Sequence, residues 1–349
     1  MTTSTPSADP TACSFIGIVD FTEKANWVYL SESSFDLLGF EPHELIGTSS
    51  LNLVHPDEFP RVKHMHYSTI SQDQAAVLAY LRMKHKDSDK GYILCAISRT
   101  VCQNVLVGSV SFASPGPKAM HNASTAQEIT IITPTAKNFE FRRWNDPNPM
   151  PPDSPAHTPS SEASSPTSSR SSTPVREHRR ASPIHFDPLP EQSVRTALIL
   201  DRFSVNCGIL YCTNDSLLST TKAMGRSFFD FVMKKDEELV RSWIDVIKGW
   251  GVNERGQPSD GGFGYGKFTV CVEGRDSSAR QPEVPPPARQ RRGTVAATRE
   301  THTRAHGAPA GPSRPHRTRG RAKHDELVVD AIFSAHSDGL MVILRKSVL

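Results

Sequence analysis

The most specific local pattern in this chain is LGFEPHELIG at residues 38–47, followed by LVHPDE at residues 53–58. Each of the two glycines ends a short apolar segment, as expected where a helical turn stops. Pro56 is placed at a helix start, where its missing N–H costs nothing. The two acids after it favour the positive end of the same helix. The pattern therefore predicts two short helical pieces followed by a longer helix.

Strand-like apolar runs flank this stretch, two before it and three after it. They lie at residues 15–20, 27–31, 77–83, 92–98 and 105–112. In the third run successive side chains fall on alternate faces of the strand, so that Leu81 lies on one face and Tyr80 on the other. One face therefore suits a core, and the other is partly polar. We interpret residues 14–114 as one domain.

The same order of signals recurs about 180 residues later. Residues 198–201 parallel residues 17–20, and residues 208–212 parallel residues 27–31. An apolar stripe at helical spacing then follows, made by Val240, Trp243, Ile244 and Ile247. Because the order and the offset are both kept, we interpret residues 193–349 as a second copy of the first domain.

The rest of the chain has a different composition. Hydrophobic residues make up 37% of the sequence and prolines number 27, which indicates long unfolded stretches. We predict a disordered tail at residues 1–13 and a disordered Ser/Pro-rich linker at residues 115–192. Within the linker, residues 128–132 have two interpretations, an added strand or a tail strand outside the core.

The linker carries candidate phosphorylation sites. Ser182 follows two arginines and precedes a proline, and three further sites are proline-directed: Thr158, Ser165 and Thr173. Each phosphate would add about −1.5 to −2 charges, enough to reverse the local balance beside the arginines.

The second copy is interrupted by a basic insertion at residues 275–323, which holds eleven arginines and one lysine against three acids. We predict a long disordered loop, since loop closure costs grow only with the logarithm of length. Its candidate import or nucleic-acid signal consists of Arg289, Arg291, Arg292, Arg317, Arg319 and Arg321. It lacks interleaved aromatics, so any nucleic-acid contact would be nonspecific and salt-sensitive. The alternative is an insert without function.

Both blocks resemble the PAS sensor and dimerisation domain. Residues 38–47 and the HPDE sequence at residues 55–58 are similar to the repeats of animal bHLH-PAS transcription factors and of fungal light- and clock-linked regulators. The resemblance implies an α+β fold with two PAS-like domains. Each would be a five-stranded antiparallel sheet with helices on one face, and the disordered linker would join them.

The departures from the family limit the chemistry. Flavin-binding members carry a cysteine motif where residues 47–52 read GTSSLN, so we expect neither a flavin–cysteine photocycle nor another cofactor. No constellation of nucleophile, base and orienting group is evident. We expect two sensor or docking modules without an output domain, hence not an enzyme.

The resemblance implies a signalling or regulatory protein that acts through dimerisation in transcription control. Its partner would be a PAS-containing or other regulatory protein, as a homo- or heterodimer, and an import receptor is a further candidate. Docking would use the outer sheet face, for which Tyr80, Ile93 and Val105 are candidates. We expect nuclear or cytoplasmic localisation and no sequence-specific nucleic-acid binding. We also expect no membrane contact, since no apolar run approaches the ~18 residues of a membrane span.

The main rival is a small-ligand or haem sensor. Its cavity would be lined by Phe35, Leu38, Leu53, Met65 and Leu81, although a packed core would use the same residues. Some PAS proteins ligate haem from the central helix, where His64 and His66 are this chain's candidates.

Overall fold

The computed structural model describes residues 13–138, 192–253, 255–275 and 326–348. Within these residues the strands form one six-stranded and one five-stranded sheet. The first sheet contains five strands from residues 14–114 and one added strand, and the second sheet lies within residues 193–349. The α+β fold with two PAS-like domains is thereby confirmed.

The first domain runs from the first strand to residue 138. Its elements are β1 (Ser14–Asp20), β2 (Trp27–Leu30), α1 (Ser34–Leu38), α2 (Pro42–Leu45), a 3₁₀ turn (Ser50–Leu53), α3 (Phe59–Ser71), β3 (Val77–Lys84), β4 (Tyr92–Cys102), β5 (Val105–Phe112), α4 (Pro117–Thr125), β6 (Glu128–Ile131) and a second 3₁₀ turn (Pro134–Asn138).

The helical pieces predicted from residues 38–47 are present, and local chemistry explains them. Gly39 ends α1 in the left-handed conformation, at a φ of 79°, and donates its N–H to the carbonyl of Phe35. Pro42 then opens α2, and the Glu44 carboxylate accepts the N–H of Glu41 at 2.9 Å.

The first sheet has the order β2-β1-β5-β4-β3-β6. The first five strands pair antiparallel, as expected, but β6 pairs parallel with β3. Residues 128–132 therefore supply an added strand. The predicted linker boundary at residue 115 is too early, because α4 and β6 pack on the outer face and edge of this sheet.

The second domain repeats the architecture. Its elements are β7 (Arg195–Leu200), β8 (Ile209–Cys212), α5 (Thr220–Ala223), a 3₁₀ turn (Phe228–Phe231), α6 (Lys234–Trp250), β9 (Gly264–Cys271), β10 (Glu326–Ala335) and β11 (Leu340–Lys346). The sheet order is β8-β7-β11-β10-β9, with all pairs antiparallel. Glu326 pairs directly with Cys271, so β9 and β10 form a hairpin across the predicted insertion.

Each domain has its own core between helices and inner sheet face. In the first domain Phe15, Leu37, Met65 and Leu81 belong to it. The second core is richer in aromatic rings, with Phe228, Phe229, Phe231, Phe268 and Phe333 in one buried cluster. These rings pack edge-to-face, for example Phe228 against Phe268 at 6.2 Å between centroids.

The outer faces of the two sheets pack against each other. This third apolar cluster joins β1 and β5 to β7 and β11, and its buried members include Ile16, Ile18, Val105, Val107, Ala197, Ile199, Met341 and Ile343. The central strands are consequently buried on both faces. No helix in the described part of the chain is long and apolar enough to cross a bilayer.

Candidate functional site

The inner face of the first sheet lines a cavity of about 90 Å³. Its floor is the β1–β5 pair, in which Gly17 lies directly opposite Gly108. A Cβ on Gly108 would lie 1.8 Å from the Ser98 carbonyl oxygen, and one on Gly17 would lie 2.6 Å from the Trp27 ring. Only glycine fits both positions, because the Ser98 carbonyl and the Trp27 ring already occupy the space that a Cβ would take.

Two titratable side chains line this largely apolar space, His66 from α3 and Arg99 from β4. Burial lowers the pKa of His66 to about 4, and the nearby Arg99 charge acts in the same direction. Burial lowers the pKa of Arg99 to about 10, against the attraction of Glu128. At neutral pH the cavity therefore holds a neutral imidazole and a charged guanidinium.

Both groups keep unused hydrogen-bonding capacity. Within the described residues, neither Nε2 of His66 nor Nε of Arg99 has a hydrogen-bond partner, although both atoms are buried. Buried polar atoms are normally paired, by protein or by water. The arrangement is suited to a small polar or anionic molecule, or to a few ordered waters.

The cavity residues proposed from sequence are only partly correct. Met65 and Leu81 line the cavity. Leu38 and Leu53 lie in the surrounding core instead, and Phe35 is 51% exposed. Sequence reasoning missed Arg99, whose signal was a charged residue on the apolar side of β4, in alternation with Cys95 and Ile97.

The haem candidates do not fit this cavity. His64 is exposed on α3, while His66 lies at the cavity wall. A volume of about 90 Å³ is below the ~300–1,000 Å³ of ordinary small-molecule pockets, and it leaves no room for a macrocycle beside His66. Among the described residues no three His, Cys, Asp or Glu side chains come together as a metal site.

The candidates for the docking face lie in three different places. Tyr80 is on the outer face but is 1% exposed, because it packs with Ala123 of α4. Ile93 is on the opposite, inner face, against the first core. Val105 lies in the contact between the two domains.

The HPDE sequence has a structural role that differs in detail from the expectation. His55 shapes the turn, with its Nδ1 accepting the N–H of Asp57 at 3.2 Å. Neither acid caps the helix. Instead Glu58, 3% exposed, accepts the backbone N–H and the Nε of Arg82, both at 2.7 Å. In the second domain Asp236 likewise accepts the N–H of Thr269 at 2.8 Å.

Two groups of candidates lie outside the described residues. They are the phosphorylation sites Thr158, Ser165, Thr173 and Ser182, and the basic signal made by Arg289, Arg291, Arg292, Arg317, Arg319 and Arg321.

Contacts between the domains follow an approximate two-fold relation. The N–H of Ser33, after β2, donates to Asp338 in the last hairpin of the second domain at 2.8 Å. The hydroxyl of Ser216, after β8, donates to Gln103 in the last hairpin of the first domain at 2.6 Å. Corresponding loops thus contact corresponding hairpins, as in an isologous dimer interface.

Comparison with known families assigns the first domain. Residues 28–98 match the family model of the PAS fold. The first domain is therefore a PAS domain. A search of curated protein sequences gives no match to this chain.

Solved PAS domains are among the similar structures. The PAS domain of the Cronobacter turicensis RpfR quorum-sensing receptor, in complex with BDSF, is 17% identical, with a TM-score of 0.26 over 32% of this chain and 100% of that one. The Drosophila melanogaster Cycle PAS-B domain is 17% identical, with a TM-score of 0.24 over 28% and 99%. Similarities at this level carry no conclusion about ligands or partners.

Proposed function

We propose that this chain is a nonenzymatic PAS regulator that acts through protein–protein association in transcription control. In this proposal its two domains already form a dimer-like pair within one chain. The packed pair determines which PAS surfaces are open to a regulatory partner.

The observation that carries the proposal is the sheet-to-sheet contact between the domains. Ile16 and Ile18 pack on Ile199 and Ile343 across it. The outer face was the expected docking surface, and here the second domain of the same chain covers it. A PAS-containing partner that needs this face would therefore compete with the intrachain pair.

The competition can be tested by placing a charge in the contact. Ile199, 1% exposed, would become an unpaired buried carboxylate in Ile199→Asp, which strongly disfavours the packed pair. Sedimentation velocity should then show concentration-dependent self-association through the freed face of the first domain. The matched control is Val28→Asp on β2, where the side chain is 41% exposed and association should stay at the wild-type level.

The proposal loses its basis if Ile199→Asp separates the domains yet associates no more than wild type. Near-ultraviolet circular dichroism establishes that both domains of the variant remain folded. The transcriptional part is tested separately, by tethering the whole chain beside a reporter promoter through a fused DNA-binding domain. Unchanged reporter output would refute that part alone.

A second candidate function is a small-ligand sensor, favoured by the Arg99 and His66 side chains at the cavity. Mass spectrometry of the purified chain under native and denaturing conditions would reveal a retained molecule. Arg99→Met should abolish its retention, whereas Arg61→Met on the exposed side of α3 should not. A cavity that retains and binds nothing when screened with small carboxylates would contradict this candidate.

A further inference from the structure

The outer edge of the second sheet differs from the corresponding edge of the first. Asp236 accepts the N–H of Thr269 in β9. Glu58 accepts the N–H of Arg82 in β3 in the same way, so the two strands are equivalent. In the first sheet β6 covers the edge of β3 by parallel pairing. In the second sheet β9 is the last strand, and among the described residues no strand pairs with its other side.

The open part of this edge is short, because both of its ends are covered. Towards the start of β9, the N–H of Phe263 donates to Oγ1 of Thr125 in the first domain at 3.1 Å. Towards its end, the carbonyl of Thr269 accepts the N–H of Met233 at 2.9 Å. Backbone groups that point to one edge of a strand recur at every second residue. The span 265–267 is therefore left between the two contacts, with room for a strand as short as the four-residue β6.

An apolar stripe of α6 borders this open span. It consists of Leu239, Trp243, Val246 and Trp250, which follow one another at helical spacing. Trp243 shows that the stripe lies beside β9, because a Cβ on Gly266 would be 2.4 Å from its ring. Leu239, Val246 and Trp250 are 49%, 52% and 41% exposed. A strand added to β9 would place the side chains of one face on this stripe and remove its apolar surface from water.

The rim of the open span carries a net positive charge. On the outer face, Lys267 and Arg345 share the single carboxylate of Asp330, each at 3.4 Å. Lys235 is exposed one helical turn before Leu239. Both acids in the first turn of α6 already have partners. An incoming segment is therefore favoured if it carries acidic side chains.

The β9 strand of a second copy does not fit this span. If two β9 strands paired antiparallel about Gly266, Phe263 of one copy would lie opposite Thr269 of the other. Thr125 covers the first position and Met233 covers the second. Paired strands lie only ~4.8 Å apart, which leaves no space for both covering segments. The occupant is therefore a short segment of a different chain.

We propose that the open span of β9 binds a short, extended, acidic segment of a partner protein. The segment adds to the second sheet as β6 adds to the first. Its backbone pairs parallel with β9, its large apolar side chains lie on the α6 stripe, and its acidic side chains face Lys267. Main-chain hydrogen bonds supply affinity, and the alternate side chains supply specificity. The site does not depend on competition for the sheet-to-sheet contact, because this edge stays open while the two domains are packed.

The probe is a fluorescein-labelled, end-blocked pentapeptide of sequence DFDLD, which has large apolar residues at alternate positions. Fluorescence anisotropy with the whole chain should show saturable binding, with a dissociation constant of about 0.1–1 mM. The cationic peptide KFKLK should bind about 10-fold more weakly or worse, because its charges repel the rim. DFDLD with N-methyl groups at phenylalanine and leucine should lose binding, because parallel pairing uses those two amides.

Two measurements locate the binding. In the chain labelled with ¹⁵N-tyrosine, the amide resonance that is lost in Tyr265→Phe reports on the open span, and DFDLD should shift it. Val246→Asp places a carboxylate in the apolar stripe and should weaken binding of DFDLD about 10-fold. The matched control is Leu210→Asp on β8, where the side chain is 51% exposed and binding should stay unchanged.

Four results would each overturn the proposal. They are equal affinity for KFKLK, equal affinity for the N-methylated peptide, an unmoved Tyr265 resonance, and binding unaffected by Val246→Asp. Slow solvent exchange of the Tyr265 amide in the free chain would also overturn it, because the edge would then already be covered. Protection that grows with protein concentration would assign the cover to a second copy, and constant protection would assign it to another segment of this chain.

Discussion

Tyr29 and Tyr211 occupy equivalent positions in the two domains, and their rings contact each other with centroids 4.9 Å apart. A residue meets its own counterpart only at the two-fold axis of a symmetric interface. The two tyrosines therefore lie close to the axis that relates the domains. Burial raises the pKa of Tyr29 to about 12 and also raises the pKa of Tyr211, so both hydroxyls stay neutral at physiological pH.

The ion pair between the domains should contribute strongly to stability. Nη1 of Arg195, whose side chain is 6% exposed, lies 2.6 Å from Oδ1 of Asp73. Asp73→Asn leaves the guanidinium buried without its counter-charge, and we expect a loss of about 3 kcal/mol in the free energy of unfolding. Urea denaturation measures it. Glu273→Ala, at the exposed pair with Lys222, should cost less than about 1 kcal/mol.

The glycine pair beneath the cavity should tolerate no side chain. Gly108→Ala brings a Cβ against backbone, at the Ser98 carbonyl, which cannot move without breaking the sheet. We expect a loss of about 3 kcal/mol or more, measured as the midpoint of thermal or urea unfolding. Gly208→Ala has no atom within 4 Å of the new Cβ and should be close to neutral. Equal stability of the two variants would contradict the proposed floor.

Glu58 should be more important for folding than its neighbour Asp57. Glu58 holds both the backbone and the side chain of Arg82, whereas the Asp57 side chain is 81% exposed. Glu58→Ala removes the acceptor from two partly buried donors and should cost about 2–3 kcal/mol. Asp57→Ala should stay within about 0.5 kcal/mol of wild type. Chemical unfolding of the two variants under identical conditions compares them directly.

Stability should fall as the pH drops from 6.5 towards 4. Burial lowers the pKa of His66 and of His336 to about 4 in the folded state. Below pH 6.5 these histidines bind protons in the unfolded chain but not in the folded chain. Each histidine therefore lowers the free energy of unfolding by up to about 1.4 kcal/mol per pH unit. Above pH 6.5 both states are neutral and the contribution vanishes.

The two histidines can be separated by substitution. The free energy of unfolding should fall between pH 7.5 and pH 5. His66→Leu and His336→Leu should each make this fall smaller. The double variant should remove both parts additively, because the two sites lie in different domains. A pH dependence unaltered in the double variant would show that neither histidine is buried as described.

The two-domain architecture was predictable because the repeat keeps both order and offset. The packing of α4 was not, since the buried residues of that helix are Ala119, Asn122 and Ala123. Small residues leave no apolar stripe for a helical pattern to reveal, and the nearby prolines and serines resemble a linker. Residues 117–138 were therefore assigned to the wrong side of the domain boundary.

The contact between the domains left one unused signal in the sequence. A strand with one face in water alternates polar and apolar residues, but residues 15–19 read FIGIV and residues 197–200 read ALIL, without a polar residue. Such runs are typical of strands covered on both sides. Periodicity does not show what covers the second face of a strand, and in this chain the other domain covers it. The cavity floor was also beyond prediction, because its glycines matter only once β1 and β5 are paired.

Because Cys271 pairs directly with Glu326, the chain leaves the second sheet and returns to it at two paired positions on neighbouring strands. The strand pairing therefore does not depend on the length of the segment between them. This position is suited to insertions, where a segment of different length can replace the present one without disturbing the paired domains.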